Sequence, residues 1–159
     1  MMKLKGTLAA LAMALLLGAG TAAFAMGTDS GSSSAGASAK DADYAAGEQA
    51  VNAGKYADAA ALMQKVVKRA PQNADAWNYL GFSYRKLGRL PDALGAYEKA
   101  LAINPDHRGA NEYLGELYVM TGDLPKAEAR LAKLDKLCHG SCAEYSTLKS
   151  AIESKRKGS

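Results

Sequence analysis

A chain of 159 residues, 48% of them hydrophobic, has room for one modest domain and excludes a multi-domain enzyme. Its 20 basic and 16 acidic residues give a formal charge of +4, too small to invoke nucleic acid as a partner. Two of those basic residues, Lys3 and Lys5, lie in a segment expected to be removed, which leaves 18 basic against 16 acidic.

Residues 1–25 carry the pattern of a secretory signal. Lys3 and Lys5 form a basic start, an apolar run extends from Thr7 to Gly18, and Ala23-Phe24-Ala25 supplies the small residues that a signal peptidase requires. The rival reading is an uncleaved anchor, but the apolar run is short for a membrane span. No cysteine follows it to take a lipid. The expectation is an exported protein, periplasmic if the source is a Gram-negative bacterium, with no membrane span after cleavage. Residues 26–40 are mostly Gly, Ser, Ala and Thr and are expected to be a flexible linker.

From residue 40 a spacing of 34 recurs, and it is clearest in residues 74–107. There Trp77, Leu80 and Tyr84 fall three and four apart on one helical face. Gly81 and Ala93 are small where a second helix must come close. Gly88 ends the first helix, Pro91 opens the second, and Pro105 closes the unit. One step back, residues 40–73 place Gly47, Gly54, Ala59 and Pro71 in register, with Asp43 at the Trp position. Helices are expected at about 41–53 and 56–69, the second with Leu62, Met63, Val66 and Val67 as its packing stripe. One step forward, residues 108–141 repeat Leu114-Gly115, Tyr118, Gly122, Pro125 and Ala127, with Asn111 at the Trp position, Tyr113 beside it as a bulky substitute, and Leu131 at the position of Tyr97. His139 stands where the closing proline is expected. The register continues through Tyr145, Leu148 and Ile152, which predicts one amphipathic helix over 143–155 and a frayed basic tail at 156–159. Asn73 and Asp106 are placed to cap the helices that follow them.

The succession of Trp, Leu-Gly, Tyr, Ala, aromatic, Ala and Pro resembles the tetratricopeptide repeat, a helix–turn–helix unit of about 34 residues. The resemblance implies an all-α solenoid of three repeats (40–73, 74–107, 108–141) within a domain spanning 41–155. The helix at 143–155 then serves as the cap that a finite stack needs.

Cys138 and Cys142 are the only cysteines, spaced by three residues that include Gly140. An even count in an exported chain favours a disulfide across the turn, stapling the last repeat to the cap. Free thiols, a redox pair or a metal site are the competing readings. A redox pair ordinarily has two intervening residues at a helix N-terminus. A metal site drawing on Cys138, His139 and Cys142 lacks a fourth ligand. A thiol–disulfide or metal-carrying protein is therefore the alternative function. His107 reads as a solvated loop residue. No phosphate loop, zinc-protease motif or nucleophile elbow occurs, so no enzyme and no cofactor are expected.

What the resemblance implies about function is a groove lined by the first helix of each pair. Carried across position by position, its residues are Tyr44, Glu48, Val51 and Asn52, then Asn78, Phe82, Arg85 and Lys86, then Glu112, Glu116, Val119 and Met120. Phe82, Val119 and Met120 are large or apolar yet lie off the packing stripe, which supports the groove reading independently. Arg85 and Lys86 beside Asn78 suit a peptide's carboxylate or backbone. The basic clamp of some chaperone-binding members is not reproduced, since Gly109 and Tyr113 stand at the matching positions of the third repeat. The expected function is capture of a peptide or protein in a mixed apolar and basic groove, as an adaptor or assembly factor, with self-association as a further possibility.

Overall fold

The computed structural model describes residues 34–158, and these form seven α-helices. They are α1 (Ser34–Asn52), α2 (Tyr56–Arg69), α3 (Ala74–Lys86), α4 (Leu90–Ile103), α5 (Arg108–Thr121), α6 (Leu124–Cys138) and α7 (Ala143–Lys157). The signal segment and the first part of the linker lie outside the described residues. The rest of the linker does not stay irregular, because α1 already runs through residues 34–40. The Ala content of that stretch favours helix, and no proline interrupts it.

Local chemistry sets the helix ends. Asn73 caps α3 by accepting from the Ala76 N–H at 2.9 Å. Pro91 and Pro125 sit in the first turn of α4 and α6, where no helical donor is lost. Gly122 adopts φ 84° to close α5, a conformation that costs a glycine little. One cap differs from expectation. The α5 N-terminus is capped by His107, whose Nδ1 accepts from the Ala110 N–H at 3.2 Å. Asp106 instead pairs with Lys133 of α6 at 2.5 Å. His107 is thus no solvated loop residue: its Nε2 lies 3.0 Å from Asp75, and its side chain is mostly covered.

Helices α1, α3, α5 and α7 make one layer in which neighbours touch. Helices α2, α4 and α6 form the other layer, and there the consecutive helices do not touch each other. Splaying on one side and contact on the other curves the stack, with the first layer inside. The main core joins Met63, Val66 and Val67 of α2, Leu80 and Tyr84 of α3, Tyr97 of α4, and Leu114 and Leu117 of α5. A second core joins Ala127 and Leu134 of α6 to Leu148 and Ile152 of α7.

Small residues let the layers close. A Cβ on Gly81 would sit 2.7 Å from the Tyr97 ring, so this site admits only hydrogen. Gly115 is the register equivalent of Gly81, yet the side chain pressed against it is Leu148 of α7 rather than Leu131 of α6. The cap therefore reaches into a niche that the previous repeat fills from within. Helix α7 also runs past the expected boundary to Lys157, and Arg156 pairs with Glu128 of α6. That pair ties down part of what the sequence suggests is a frayed tail. Between α6 and α7, His139 (φ 50°) and Gly140 (φ 71°) turn the chain. The turn brings the Cα atoms of Cys138 and Cys142 to 5.7 Å and their sulfurs within bonding reach.

Candidate functional site

The inner face of α1, α3 and α5 carries a row of aromatic rings. Tyr44 of α1 meets Tyr79 of α3 edge-on at 6.0 Å between centroids. Phe82 of α3 lies between Tyr56 of α2, at 6.0 Å, and Tyr113 of α5, at 4.9 Å. These rings bridge successive repeats, and such pairs add to the stability that burial alone supplies. Tyr44, Tyr79 and Tyr113 rest on the main core while staying partly open. Burial, reinforced by the Glu48 carboxylate, raises the Tyr79 hydroxyl to about 12 and pushes Tyr44 upward as well, so both remain neutral donors. Tyr79 donates to Glu48 at 2.9 Å.

Arg85 sits at the centre of the row. Its side chain is only 9% exposed, and its Nη2 lies 2.7 Å from Glu116 of α5. Its Nε donates to the Tyr97 hydroxyl at 3.4 Å. The guanidinium stands over the Phe82 and Tyr113 rings at 5.4 and 5.5 Å. The guanidinium expected to meet a peptide's carboxylate or backbone is engaged here by the domain's own Glu116. Lys86 is exposed and stands 5.3 Å from the Phe82 ring. Met120 is 52% exposed, with its sulfur 3.8 Å from Arg85.

Glu112 is buried beside this cluster. Burial raises its carboxyl from 4.5 to about 7, and the charges of Glu116 and Glu144 push in the same direction. Arg85 and the Thr147 hydroxyl offset part of that shift. With Glu48, Glu112 and Glu116 on this face, its character is aromatic and carboxylate-rich rather than apolar and basic.

The remaining expected positions divide. Asn78 is buried between α3 and α5; its amide nitrogen would lie 3.3 Å from a Cβ on Gly109, and its Oδ1 accepts no hydrogen bond. Val119 faces away and packs on the second core, because α7 covers that side of α5. Asn52 is exposed as the last residue of α1, and Val51 beside it is half-buried; neither joins the aromatic row. The sequence reading passes over Tyr79 and assigns Tyr113 only a packing role. Each directly follows a groove position, Asn78 or Glu112, and a tyrosine is long enough to reach round the helix from there. Among the described residues no group of His, Cys, Asp and Glu is arranged to hold a metal ion. No described helix is long and apolar enough to cross a membrane.

Two family models described as tetratricopeptide repeat match residues 44–107 and 84–152. The chain belongs to the tetratricopeptide repeat family. The two matches together run from α1 into α7, so the cap falls inside the recognised pattern. No curated protein matches the sequence. Solved tetratricopeptide folds resemble it closely in shape. PcrH, in complex with the chaperone binding region of PopD, is 21% identical with a TM-score of 0.68, covering 77% of this chain and 94% of that one. The TPR2B domain of yeast Sti1, in a complex with pHsp70, is 17% identical with a TM-score of 0.67, covering 76% and 98%. MamA is 24% identical with a TM-score of 0.65, covering 74% and 68%. At these identities the likeness is one of fold.

Proposed function

We propose that this tetratricopeptide domain is an exported protein-interaction module, an adaptor or assembly factor that holds a peptide or protein segment along its inner face. The observation that carries the reading is the row Tyr44–Tyr79–Phe82–Tyr113. It presents aromatic edges on the one face where successive repeats converge, with the Tyr79 hydroxyl held in place by Glu48. Aromatic side chains with a polar tip are the residues that dominate protein interfaces, because they bring large area at little conformational cost. PcrH and the Sti1 domain are described in complex with protein partners, which supports the same use of the fold here. Glu48, Glu112 and Lys86 around the row would set polarity and register. In this reading Cys138 and Cys142 form a structural disulfide that orients the cap, and they carry no redox or metal chemistry.

Phe82 and Met120 belong to neither core, so replacing them removes the ring contacts of Phe82 with Tyr56 and Tyr113 but leaves both cores in place. The variant F82A/M120A should keep its helical circular dichroism and lose about tenfold or more in partner affinity. Partner capture unchanged from wild type would sink the groove reading.

A further inference from the structure

A second site lies on the opposite side of α3, where α2 and α4 splay apart. The space between them is a cleft of about 520 Å³ whose floor is α3, lined by Val67, Lys68, Trp77, Tyr84, Gly95 and Lys99 among others. Its volume lies within the range of small-molecule pockets. Trp77 and Lys99 also line an adjoining cavity of about 430 Å³ next to Pro71 and Ile103. None of the inner-face residues takes part.

Three observations say what this cleft would take. Gly95 lies in the interior of α4, where glycine is less stable than alanine. Its φ is not positive, and a Cβ placed on it would meet no atom within 4 Å. Neither backbone conformation nor helix packing therefore accounts for the missing side chain; what its absence does is hold the cleft open. Next, the charges are one-sided. Lys68 on α2 and Lys99 on α4 flank the cleft with no ion-pair partner among the described residues, whereas Asp92 is neutralised by Arg89 at 2.8 Å. Finally, the equivalent junction one repeat later is built differently. There Ala129 and Arg130 stand at the positions of Gly95 and Ala96. Arg130 reaches across to Asn111, the register equivalent of Trp77, at 3.3 Å. A long side chain thus lies over the floor helix α5 at the later junction, where the earlier one has only Gly95 and Ala96. The later junction keeps a smaller cavity, of about 220 Å³ between α4 and α5, with no lysine in its lining.

The geometry points to a binding site for a small organic anion, a carboxylate carried on an aromatic or branched apolar body, that packs its body on Trp77 over Gly95 and sets its charge between Lys68 and Lys99. This site is independent of the inner face and holds whether or not that face binds a partner.

Trp77 is the only tryptophan, so its indole N–H gives a single resonance that reports on the cleft. Full-length mature protein is titrated with naphthoate, with naphthylmethanol as the neutral analogue and naphthylmethylamine as the charge-reversed one. Naphthoate should shift that resonance saturably, the alcohol should bind more weakly, and the amine more weakly still. Replacing both exposed lysines, K68Q/K99Q, should weaken naphthoate about three- to tenfold. G95L should abolish the shift while melting no lower than wild type, because it fills the cleft and improves the helix. Equal affinity for acid and alcohol, binding unaffected by K68Q/K99Q, or no saturable shift in the wild type would each overturn the assignment. Should G95L fail to fold, the lysine pair and the three-probe series decide on their own.

Discussion

Glu112 is the residue with most to lose from its position. Its carboxyl is raised from 4.5 to about 7 by burial, then by Glu116 and Glu144. The folded state therefore holds a proton that the unfolded chain releases at lower pH. Stability from this group is fully present below about 4.5 and is lost as pH rises toward about 7. The substitution E112Q should flatten that fall and, at pH about 8, raise stability by about 1–3 kcal/mol. Urea melts at several pH values check this, and parallel pH profiles for wild type and E112Q would refute it. The residue scale is also where sequence is least informative. Leu80, Gly81 and Tyr84 are legible because their spacing is a property of one helix. The link from Arg85 to Glu116 joins residues on different helices, and no local spacing encodes it. Val119 is misplaced for the same reason, since only the docking of α7 decides which side of α5 is covered.

At the scale of elements, helix boundaries follow closely from Gly88, Pro91, Pro125 and the 34-residue register. Exceptions occur where two side chains compete for one task. Asp106 and His107 are both placed to cap α5, and the pairing of Asp106 with Lys133 leaves the role to His107. The joint between α6 and α7 is the other departure from the repeat. Gly115 receives Leu148, and Cys138 approaches Cys142 where a proline would have closed the unit. If the two thiols are bonded, the intact mass of the protein increases by two hydrogens on reduction. The variant C138S/C142S should then melt lower, by about 1–2 kcal/mol in stability, because so short a loop removes little entropy from the unfolded chain. An oxidised mass equal to the reduced one would show that the staple does not form.

For the whole molecule, the contrast between layers matters more than any single contact. Contact among α1, α3, α5 and α7 concentrates rings and carboxylates on the inner side, while the splay of α2 from α4 opens the Trp77 cleft on the outer one. The repeat fold is legible in sequence because every unit restates it. The chemical character of the inner face is not, since Glu116 cancels Arg85 and Tyr79 and Tyr113 reach in from neighbouring positions. The most direct test of the inner face as the binding surface is site-specific photo-cross-linking. Benzoylphenylalanine is introduced at exposed Lys86, beside Phe82, and separately at exposed Lys65 on the outer helix α2. Irradiation with the partner should give an adduct from position 86 and none from position 65. An adduct from position 65 alone would contradict the account.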